Sequence, residues 1–154
     1  MKNAVIAGTF DPVTVGHLDV IKRAAALFDK VTVGVFENGE KKTMFSAETR
    51  TAAMKAAVKG ISNVDVEQAS SVTLADFAKA HGAVIVKGIR NALDADYEVS
   101  LAEINKETGG VETVMLAASP SLSFVSSTFV REMIKYGKPY EKYVPKGAYE
   151  IIKK

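Results

Sequence analysis

The sequence predicts a three-layer α/β fold in which a doubly wound, parallel sheet of five strands lies between helices. Short β-branched runs alternate five times with longer stretches of helical period, and several runs are continuously apolar, as in the buried strands of parallel sheets. The 154 residues are sufficient for one hydrophobic core, and no linker or internal repeat divides them. We therefore expect a single domain over residues 1–154.

The five predicted strands are residues 3–7, 31–36, 64–67, 83–86 and 112–117. Helical periodicity between and after them predicts helices over residues 17–28, 47–58, 73–81, 93–107, 127–136 and 147–154. Ser46 is a favourable N-cap for the second helix, and Gly82 and Gly137 are favourable residues for ending the third and fifth. In such sheets, ligands bind beyond the carboxyl ends of the strands, where the strand order reverses.

Composition excludes several classes of site and partner. The chain has no cysteine, which excludes disulfides and thiolate chemistry, and its two separated histidines do not favour a structural zinc site. The formal net charge of +2, and a lysine-rich tail interrupted by glutamates, predict no nucleic-acid partner. Without a signal-peptide core or a run of about 18 apolar residues, the chain is expected to be cytoplasmic, with no membrane partner.

The common glycine-rich nucleotide motifs do not occur in this sequence. There is no G-x-G-x-x-G, and the nearest match to a P-loop, GVFENGEK at residues 34–41, has Glu40 where the phosphate-binding lysine belongs. A carboxylate at that place would repel phosphate. The P-loop is therefore rejected.

The stretch AGTFDPVTVGH, which ends at His17, is a better candidate for a phosphate site. Gly8 permits a tight turn after the first strand, and Thr9 and Phe10 follow it with main-chain N–H groups. Gly16 and His17 stand at the start of the next helix, where unpaired N–H groups and partial positive charge favour an anion. His17 would add a directional donor. The alternative for this residue alone is a histidine that only caps the helix.

Three further patches follow strands of the predicted sheet. Each could by itself be solvated surface or, for the last, a well-capped helix. Together they place cations, hydroxyls and helix N-termini at one edge of the sheet, as a polyphosphate requires. They are KKTMF (residues 41–45), KGIR (residues 87–90) and SFVSST (residues 123–128).

Two of these stretches resemble the signatures of a known superfamily. TVGH at residues 14–17 resembles the T/H-x-G-H signature of the nucleotidyltransferases, and VSSTFVR at residues 125–131 resembles their second signature, I-S-S-[ST]-x-x-R. Within that superfamily, GTFDPVTVGH, KKTMF, KGIRNALDADYE and SFVSSTFVRE, in this order, resemble the phosphopantetheine adenylyltransferase family over essentially the whole chain. T-x-G-H alone is specific only for nucleotidyl transfer, whereas KKTMF and KGIRNALDADYE are typical of this family.

The resemblance implies the Rossmann-like nucleotidyltransferase fold and an enzyme of coenzyme A biosynthesis. Its implied reaction transfers the adenylyl group of ATP to 4′-phosphopantetheine with Mg²⁺, giving dephospho-coenzyme A and pyrophosphate. The resemblance also implies a homo-oligomer, a hexamer in relatives, and coenzyme A as a product-like inhibitor. No residue is singled out as a metal ligand, because the phosphates of ATP and water are expected to hold Mg²⁺.

The resemblance also assigns residues of this chain to the two substrates. Those implied for 4′-phosphopantetheine are Thr9, Lys41, Leu74 and Lys87, with Thr73 as the alternative to Leu74. Those implied for ATP are Thr9, Phe10, His17, Gly88, Ile89, Arg90, Glu98, Leu122, Ser123, Phe124, Val125, Ser126, Ser127 and Thr128. Thr9, His17, Lys41 and Arg90 are expected to carry catalysis.

The chain departs from the family pattern at three positions. Lys87 stands where arginine is usual, Leu122 where tryptophan is common, and Val15 where the residue is often polar. Lys87 keeps the charge but loses bidentate geometry.

Two alternatives stay open here. One is a sibling enzyme that acts on nicotinamide mononucleotide, glycerol phosphate or flavin mononucleotide, and the other is a non-catalytic nucleotide-binding module on the same fold.

Overall fold

The computed structural model describes residues 1–153 and confirms the predicted sheet. Its strands are β1 (Asn3–Gly8), β2 (Lys30–Glu37), β3 (Val64–Ser70), β4 (Ala83–Ile89) and β5 (Thr113–Ala117). Over these residues the five strands are parallel and lie in the order β3-β2-β1-β4-β5. The chain builds β1 to β3 in one direction and then crosses back to add β4 and β5 on the other side of β1. Strand order therefore reverses between β1 and β4.

Six α-helices within residues 1–153 connect or follow the strands. They are α1 (Val15–Leu27), α2 (Ala47–Ala57), α3 (Leu74–Ala80), α4 (Ala92–Gly109), α5 (Ser127–Lys135) and α6 (Lys146–Ile152). All were predicted, with ends that differ by one or two residues; Lys154, in the last predicted helix, lies outside the described residues. None of the helices in this range combines the length and apolar composition that crossing a bilayer requires.

Polar side chains explain where the helices begin. Ser46 caps α2 as predicted, and its hydroxyl accepts the N–H of Thr49 at 3.1 Å. Gly82 and Gly137 directly follow the caps of α3 and α5, with left-handed φ values of +56° and +64°. The side-chain oxygens of four further N-caps accept first-turn N–H groups in the same way: Thr14, Thr73, Asn91 and Ser126.

The sheet packs against helices on both of its faces, which confirms the three layers. On one face, Ile6 of β1 belongs to a buried cluster with Met54 of α2. On the other face, the neighbouring residue Val5 packs in a second cluster with Phe77 of α3. Alternate residues of the central strand thus point to opposite layers, as the pleat of a strand requires.

Candidate active site

A cavity of about 370 Å³ opens where the strand order reverses, beyond the carboxyl ends of β1 and β4. The loop after β1, the start of α1, the end of β4 and the start of α5 line it, and Lys41 reaches it from the loop after β2. The stretches that the sequence analysis singled out therefore meet at one place. Most residues assigned from the resemblance line the cavity: Thr9, Phe10, His17, Lys41, Lys87, Gly88, Arg90, Glu98, Leu122, Val125, Ser126, Ser127 and Thr128.

Five assigned residues are not among those that line the cavity: Thr73, Leu74, Ile89, Ser123 and Phe124. Thr73 is exposed and caps α3, where its hydroxyl accepts the N–H of Asp76 at 3.1 Å. Leu74 packs against the core cluster of α3. A contact of Thr73 or Leu74 with pantetheine stays a prediction, since the structure gives both side chains other partners.

The KGIR patch begins inside a strand rather than after it, because β4 continues to Ile89. Lys87 and Gly88 are hydrogen-bonded into the ladder with β5. A Cβ atom on Gly88 would come within 2.8 Å of Val20 Cγ2 in α1. Gly88 therefore allows α1 to pack closely on β4, in addition to lining the cavity.

The loop after β1 places the ring of Phe10 against His17. Phe10 has the left-handed φ of +50°, so the tight turn predicted at Gly8 is made two residues later. A Cβ atom on Gly8 would lie 3.1 Å from the Phe10 ring, so Gly8 provides the room for that ring. The ring meets the His17 imidazole edge to face, with centroids 4.9 Å apart. Phe10 thus fixes the imidazole from one side.

Hydrogen bonds fix the tautomer of His17. The Thr14 N–H donates to His17 Nδ1 at 3.0 Å, and the His17 N–H donates to Thr14 Oγ1 at 3.3 Å. Because Nδ1 accepts a hydrogen bond, the proton of the neutral imidazole resides on Nε2. His17 therefore caps α1 through Nδ1. Its side chain also lines the cavity, and the Nε2–H is available there as a donor.

The surroundings of His17 favour its neutral form. Burial lowers the pKa of His17, and the positive charge of Arg90 lowers it further, to about 4. The side chain is accordingly a neutral N–H donor at physiological pH. It can stabilise negative charge without itself gaining or losing a proton.

Two cations of the cavity, Lys87 and Arg90, stand near carboxylates at distances longer than a typical hydrogen bond. Lys87 Nζ lies 3.5 Å from Glu98 Oε2, a buried oxygen with no hydrogen-bond partner among residues 1–153. Arg90 Nε lies 3.8 Å from Asp94 Oδ2, and that carboxylate also accepts the Arg90 main-chain N–H at 3.0 Å. The carboxylates of Glu98 and Asp94 therefore orient the Lys87 ammonium and the Arg90 guanidinium, whose N–H groups remain available to a ligand.

The start of α5 contributes main-chain donors more than hydroxyls. Ser126 caps the helix by accepting the N–H of Phe129 at 3.0 Å, and Ser127 Oγ donates to the Pro12 carbonyl at 2.7 Å. The hydroxyl of Thr128 accepts from Arg131 at 3.1 Å. Ser127 and Thr128 line the cavity, and their main-chain N–H groups, which have no intrahelical acceptor, are suited to bind an anion there.

Several residues around the cavity were not assigned from sequence. Asp94 and Arg131 line it, and Arg131 lies within the second signature, which was the available signal. Asp11 also lines it, although it is buried, and its carboxylate accepts the N–H groups of Met44 at 2.8 Å and Phe45 at 2.9 Å. The available signal for Asp11 was that an acidic residue stands inside a stretch that the sequence predicts to bind phosphate.

Comparisons with known proteins agree with this site. The family described as cytidylyltransferase-like matches residues 5–133. A protein of Streptococcus agalactiae named phosphopantetheine adenylyltransferase is 43% identical to this chain, covering 99% of it and 96% of that protein. A protein of the same name from Phocaeicola vulgatus is 40% identical, covering 96% and 97% of the two chains.

Solved structures support the fold. A candidate nicotinate-nucleotide adenylyltransferase from Vibrio parahaemolyticus superposes with a TM-score of 0.68 at 24% identity, over 99% of this chain and 92% of that one. A bifunctional NMN adenylyltransferase/ADP ribose pyrophosphatase from Francisella tularensis gives 0.67 at 16% identity, over 93% of this chain and 44% of that longer one. At these identities they establish the nucleotidyltransferase fold. The relatives that are 40–43% identical and match nearly end to end show that this chain belongs to the phosphopantetheine adenylyltransferase family.

Proposed function

We propose that this protein transfers the adenylyl group of ATP to 4′-phosphopantetheine, giving dephospho-coenzyme A and pyrophosphate. Family membership supports the reaction. The observation that carries it is the meeting of Lys41, Lys87, Arg90 and the N-termini of two helices around one cavity at the switch point of the sheet. A reaction between two polyanions requires that concentration of positive charge.

The reaction needs no covalent intermediate on the protein. An oxygen of the pantetheine phosphate attacks the α-phosphorus of ATP in line, the bond from that phosphorus to the bridging oxygen breaks, and pyrophosphate leaves with the electron pair. Since phosphate is already a nucleophile, the protein contributes position and charge neutralisation. Thr9 and Lys41 orient the attacking phosphate, with Lys87 assisting.

His17 acts at the α- and β-phosphates, where negative charge increases during the reaction. Its neutral Nε2–H donates a hydrogen bond that the contact of Nδ1 with Thr14 orients in advance. Arg90 and the first turn of α5 hold the β- and γ-phosphates, and Glu98 contacts the nucleotide. Preorganised donors of this kind act mainly on the transition state, because their orientation costs nothing when the charge develops.

Magnesium fits this site as a companion of the triphosphate. Among residues 1–153, no three His, Cys, Asp or Glu side chains are grouped so as to hold a metal ion. Asp11 and Asp94 of the cavity accept main-chain N–H groups, and Glu98 Oε2 lies 3.5 Å from Lys87 Nζ. Such a donor set suits Mg²⁺ held by substrate phosphates and water. When bound, the ion would neutralise part of the phosphate charge.

The chain is further proposed to form a cytoplasmic homo-oligomer, a hexamer as the family resemblance suggests, with coenzyme A as a product-like inhibitor. The α4 helix supports self-association, since none of residues 92–109 is buried in the single chain. Large apolar side chains of α4 are exposed, including Leu93 at 82%, Tyr97 at 62% and Ile104 at 55%. Exposed apolar surface of this kind is characteristic of an interface.

One coupled assay tests the proposed reaction. Pyrophosphate release is measured with ATP and Mg²⁺ in the presence of 4′-phosphopantetheine, nicotinamide mononucleotide or glycerol phosphate, in parallel. We expect release only with 4′-phosphopantetheine. Equal or faster release with nicotinamide mononucleotide would identify a sibling enzyme, and binding without release would identify a non-catalytic module.

A further inference from the structure

Arg50 of α2 is a buried arginine whose partners are all main-chain carbonyls. Its exposed fraction is 2%. Its guanidinium donates from Nη1 to the Thr9 carbonyl at 2.6 Å and the Phe36 carbonyl at 3.0 Å, and from Nε to the Phe45 carbonyl at 3.2 Å. One side chain therefore joins the loop after β1, the end of β2 and the segment that leads into α2.

The Phe45 peptide is held from both sides. Arg50 binds its carbonyl, and the buried carboxylate of Asp11 accepts its N–H at 2.9 Å together with the N–H of Met44 at 2.8 Å. Asp11 and Arg50 thus act on the same segment with opposite charges. Contacts in which one partner is ionised are stronger than those between neutral groups, so this segment is firmly fixed.

Arg50 also holds both ends of the loop that carries Lys41. Phe36 lies before this loop and Phe45 after it, and Arg50 binds the carbonyls of both. The same guanidinium binds Thr9, the other residue assigned to the attacking phosphate. The relative position of Thr9 and Lys41 therefore depends on this one side chain.

Packing alone does not require an arginine at this position. Among residues 1–153, no carboxylate lies within 4.0 Å of its guanidinium nitrogens, so carbonyl dipoles alone compensate the buried charge. Burying a charge without an ionic partner costs stability that an apolar side chain of similar size would retain. What the arginine provides, and an apolar residue would not, is the connection between three chain segments.

We propose that Arg50 is a positioning residue for the phosphate acceptor: it sets Thr9 and the Lys41 loop at the spacing that receives the phosphate of 4′-phosphopantetheine. This inference rests on the proposed function. Among residues 1–153, Arg50 makes no hydrogen bond to Arg90 or to the first turn of α5, so these donors for ATP are held by other contacts. Thr9, which is assigned to both substrates, is the residue of the ATP site that Arg50 binds.

The test is calorimetric titration of the full-length Arg50→Met variant with 4′-phosphopantetheine and, separately, with ATP. Losing these charge-assisted contacts should raise the dissociation constant for 4′-phosphopantetheine about 10- to 100-fold, while that for ATP changes by less than about threefold. Arg50→Lys should give an intermediate increase, because one ammonium retains the charge but cannot span three carbonyls. Should Arg50→Met not fold, Arg50→Lys carries the comparison.

Met54→Ala is the matched control. Met54 lies one turn further along α2 and is fully buried in the hydrophobic core, and among residues 1–153 its side chain forms no hydrogen bond to Thr9 or to the Lys41 loop. Met54→Ala should lower the midpoint of denaturant unfolding without a selective change in acceptor binding. An equal rise in the 4′-phosphopantetheine dissociation constant for Met54→Ala, or no rise in folded Arg50→Met or Arg50→Lys, overturns the positioning role.

Lys41→Ala separates this inference from the function on which it rests. If Lys41→Ala weakens 4′-phosphopantetheine binding and the Arg50 variants do not, only the positioning role is wrong. If Lys41→Ala leaves that binding unchanged, the proposed acceptor site itself is wrong. If Arg50 acts through Lys41, Arg50→Met should weaken binding much less in the Lys41→Ala background than in the wild type; full additivity of the two changes contradicts the mechanism.

Discussion

Ion pairs of the cavity are longer than those in the rest of the molecule. Within residues 1–153, the pairs that line the cavity have N–O distances of 3.5, 3.8 and 3.9 Å, whereas the others measure 2.5–3.3 Å. A cation at the longer distance is attracted by its carboxylate but keeps its donors for another acceptor. We call the pairs at 2.5–3.3 Å closed and those at 3.5–3.9 Å open. Closed pairs stabilise a surface, and open pairs are suited to a ligand. The open pairs are Lys87–Glu98, Arg90–Asp94 and Arg131–Asp11. The Arg131 guanidinium already donates to the Asp11 carbonyl at 2.8 Å and to Thr128 Oγ1 at 3.1 Å, so the side-chain donors that remain available are those of Lys87 and Arg90.

The two histidines differ in the same way: His17 lines the cavity as a donor that is unpaired within the described part of the chain, and His81, outside the cavity, forms a close pair with a carboxylate. Burial and Arg90 lower the pKa of His17 to about 4. Burial also lowers the pKa of His81, but hydrogen bonds to the Phe77 carbonyl at 2.8 Å and to Glu67 at 3.1 Å outweigh it and raise the pKa overall. His81 thus favours a closed, charged pair between α3 and β3. His17 is a neutral donor among cations.

The largest effect is expected at His17. His17→Ala should lower kcat by about 10²- to 10³-fold, the usual cost of removing one preorganised donor to developing negative charge. Its capping contact with Thr14 is worth about 1 kcal/mol, so the Tm should fall by only a few degrees. His81→Ala is the control and should leave kcat unchanged. An unaltered kcat for His17→Ala, or its failure to fold, would reduce His17 to a helix cap.

The cations that line the cavity should divide between the two substrates. Lys41→Ala should weaken 4′-phosphopantetheine and Arg90→Ala should weaken ATP, each by about 10- to 100-fold, as expected for charge-assisted contacts. Titration of each variant with each ligand measures this. Lys30→Ala, which removes a closed pair with Asp65 at 2.9 Å, should affect neither ligand. The same ligand defect in both cavity variants would contradict two separate subsites.

The pH dependence of stability should differ in sign between the two histidines. The raised folded pKa of His81 means that its contribution is full below about pH 6.5 and is lost as the pH rises through the folded value. For His17, whose folded pKa is lowered, the contribution is full above about pH 6.5 and is lost toward pH 4. Denaturant unfolding should therefore show His81→Ala to be more destabilising at about pH 5.5 than at about pH 9, by up to about 1 kcal/mol. A pH-independent difference would show that His81 and Glu67 do not form a charged pair.

The smallest effect is expected at Lys87. Lys87→Arg introduces the usual family residue and keeps the charge beside Glu98, so kcat/KM for 4′-phosphopantetheine should change by less than about threefold. Steady-state kinetics measures this. A tenfold gain would show that a bidentate contact is used there, and a tenfold loss would show that the arginine closes onto Glu98.

Apolar periodicity predicted every strand, and its errors have a clear cause. The predicted third strand stops at Glu67, but β3 continues to Ser70 because main-chain hydrogen bonds to β2 extend past the apolar run, to the pairing of Ser70 with Glu37. The fourth strand likewise continues through Lys87 to Ile89. Backbone pairing needs no apolar side chain, so periodicity underestimates the ends of strands.

The candidate site was predictable where function resides in a local motif, as at His17 or Ser126. Asp11 and Arg50 were missed because their side chains bind main-chain groups more than 30 residues away, at Phe45 and Thr9 respectively. Such a contact has no sequence spacing of its own. An arginine in a helical pattern is read as a solvated residue until the fold shows its acceptors.

The hydrogen bond from Thr14 to Nδ1 of His17 also bears on how the reaction responds to acid. With its ring nitrogen occupied and a pKa of about 4, His17 keeps one charge state throughout the range in which cellular pH varies. A phosphate monoester such as that of the acceptor does titrate in that range, with a second pKa of about 6. We therefore expect the acid limb of the rate profile to come from the substrate phosphates, which lose nucleophilic charge on protonation, rather than from His17.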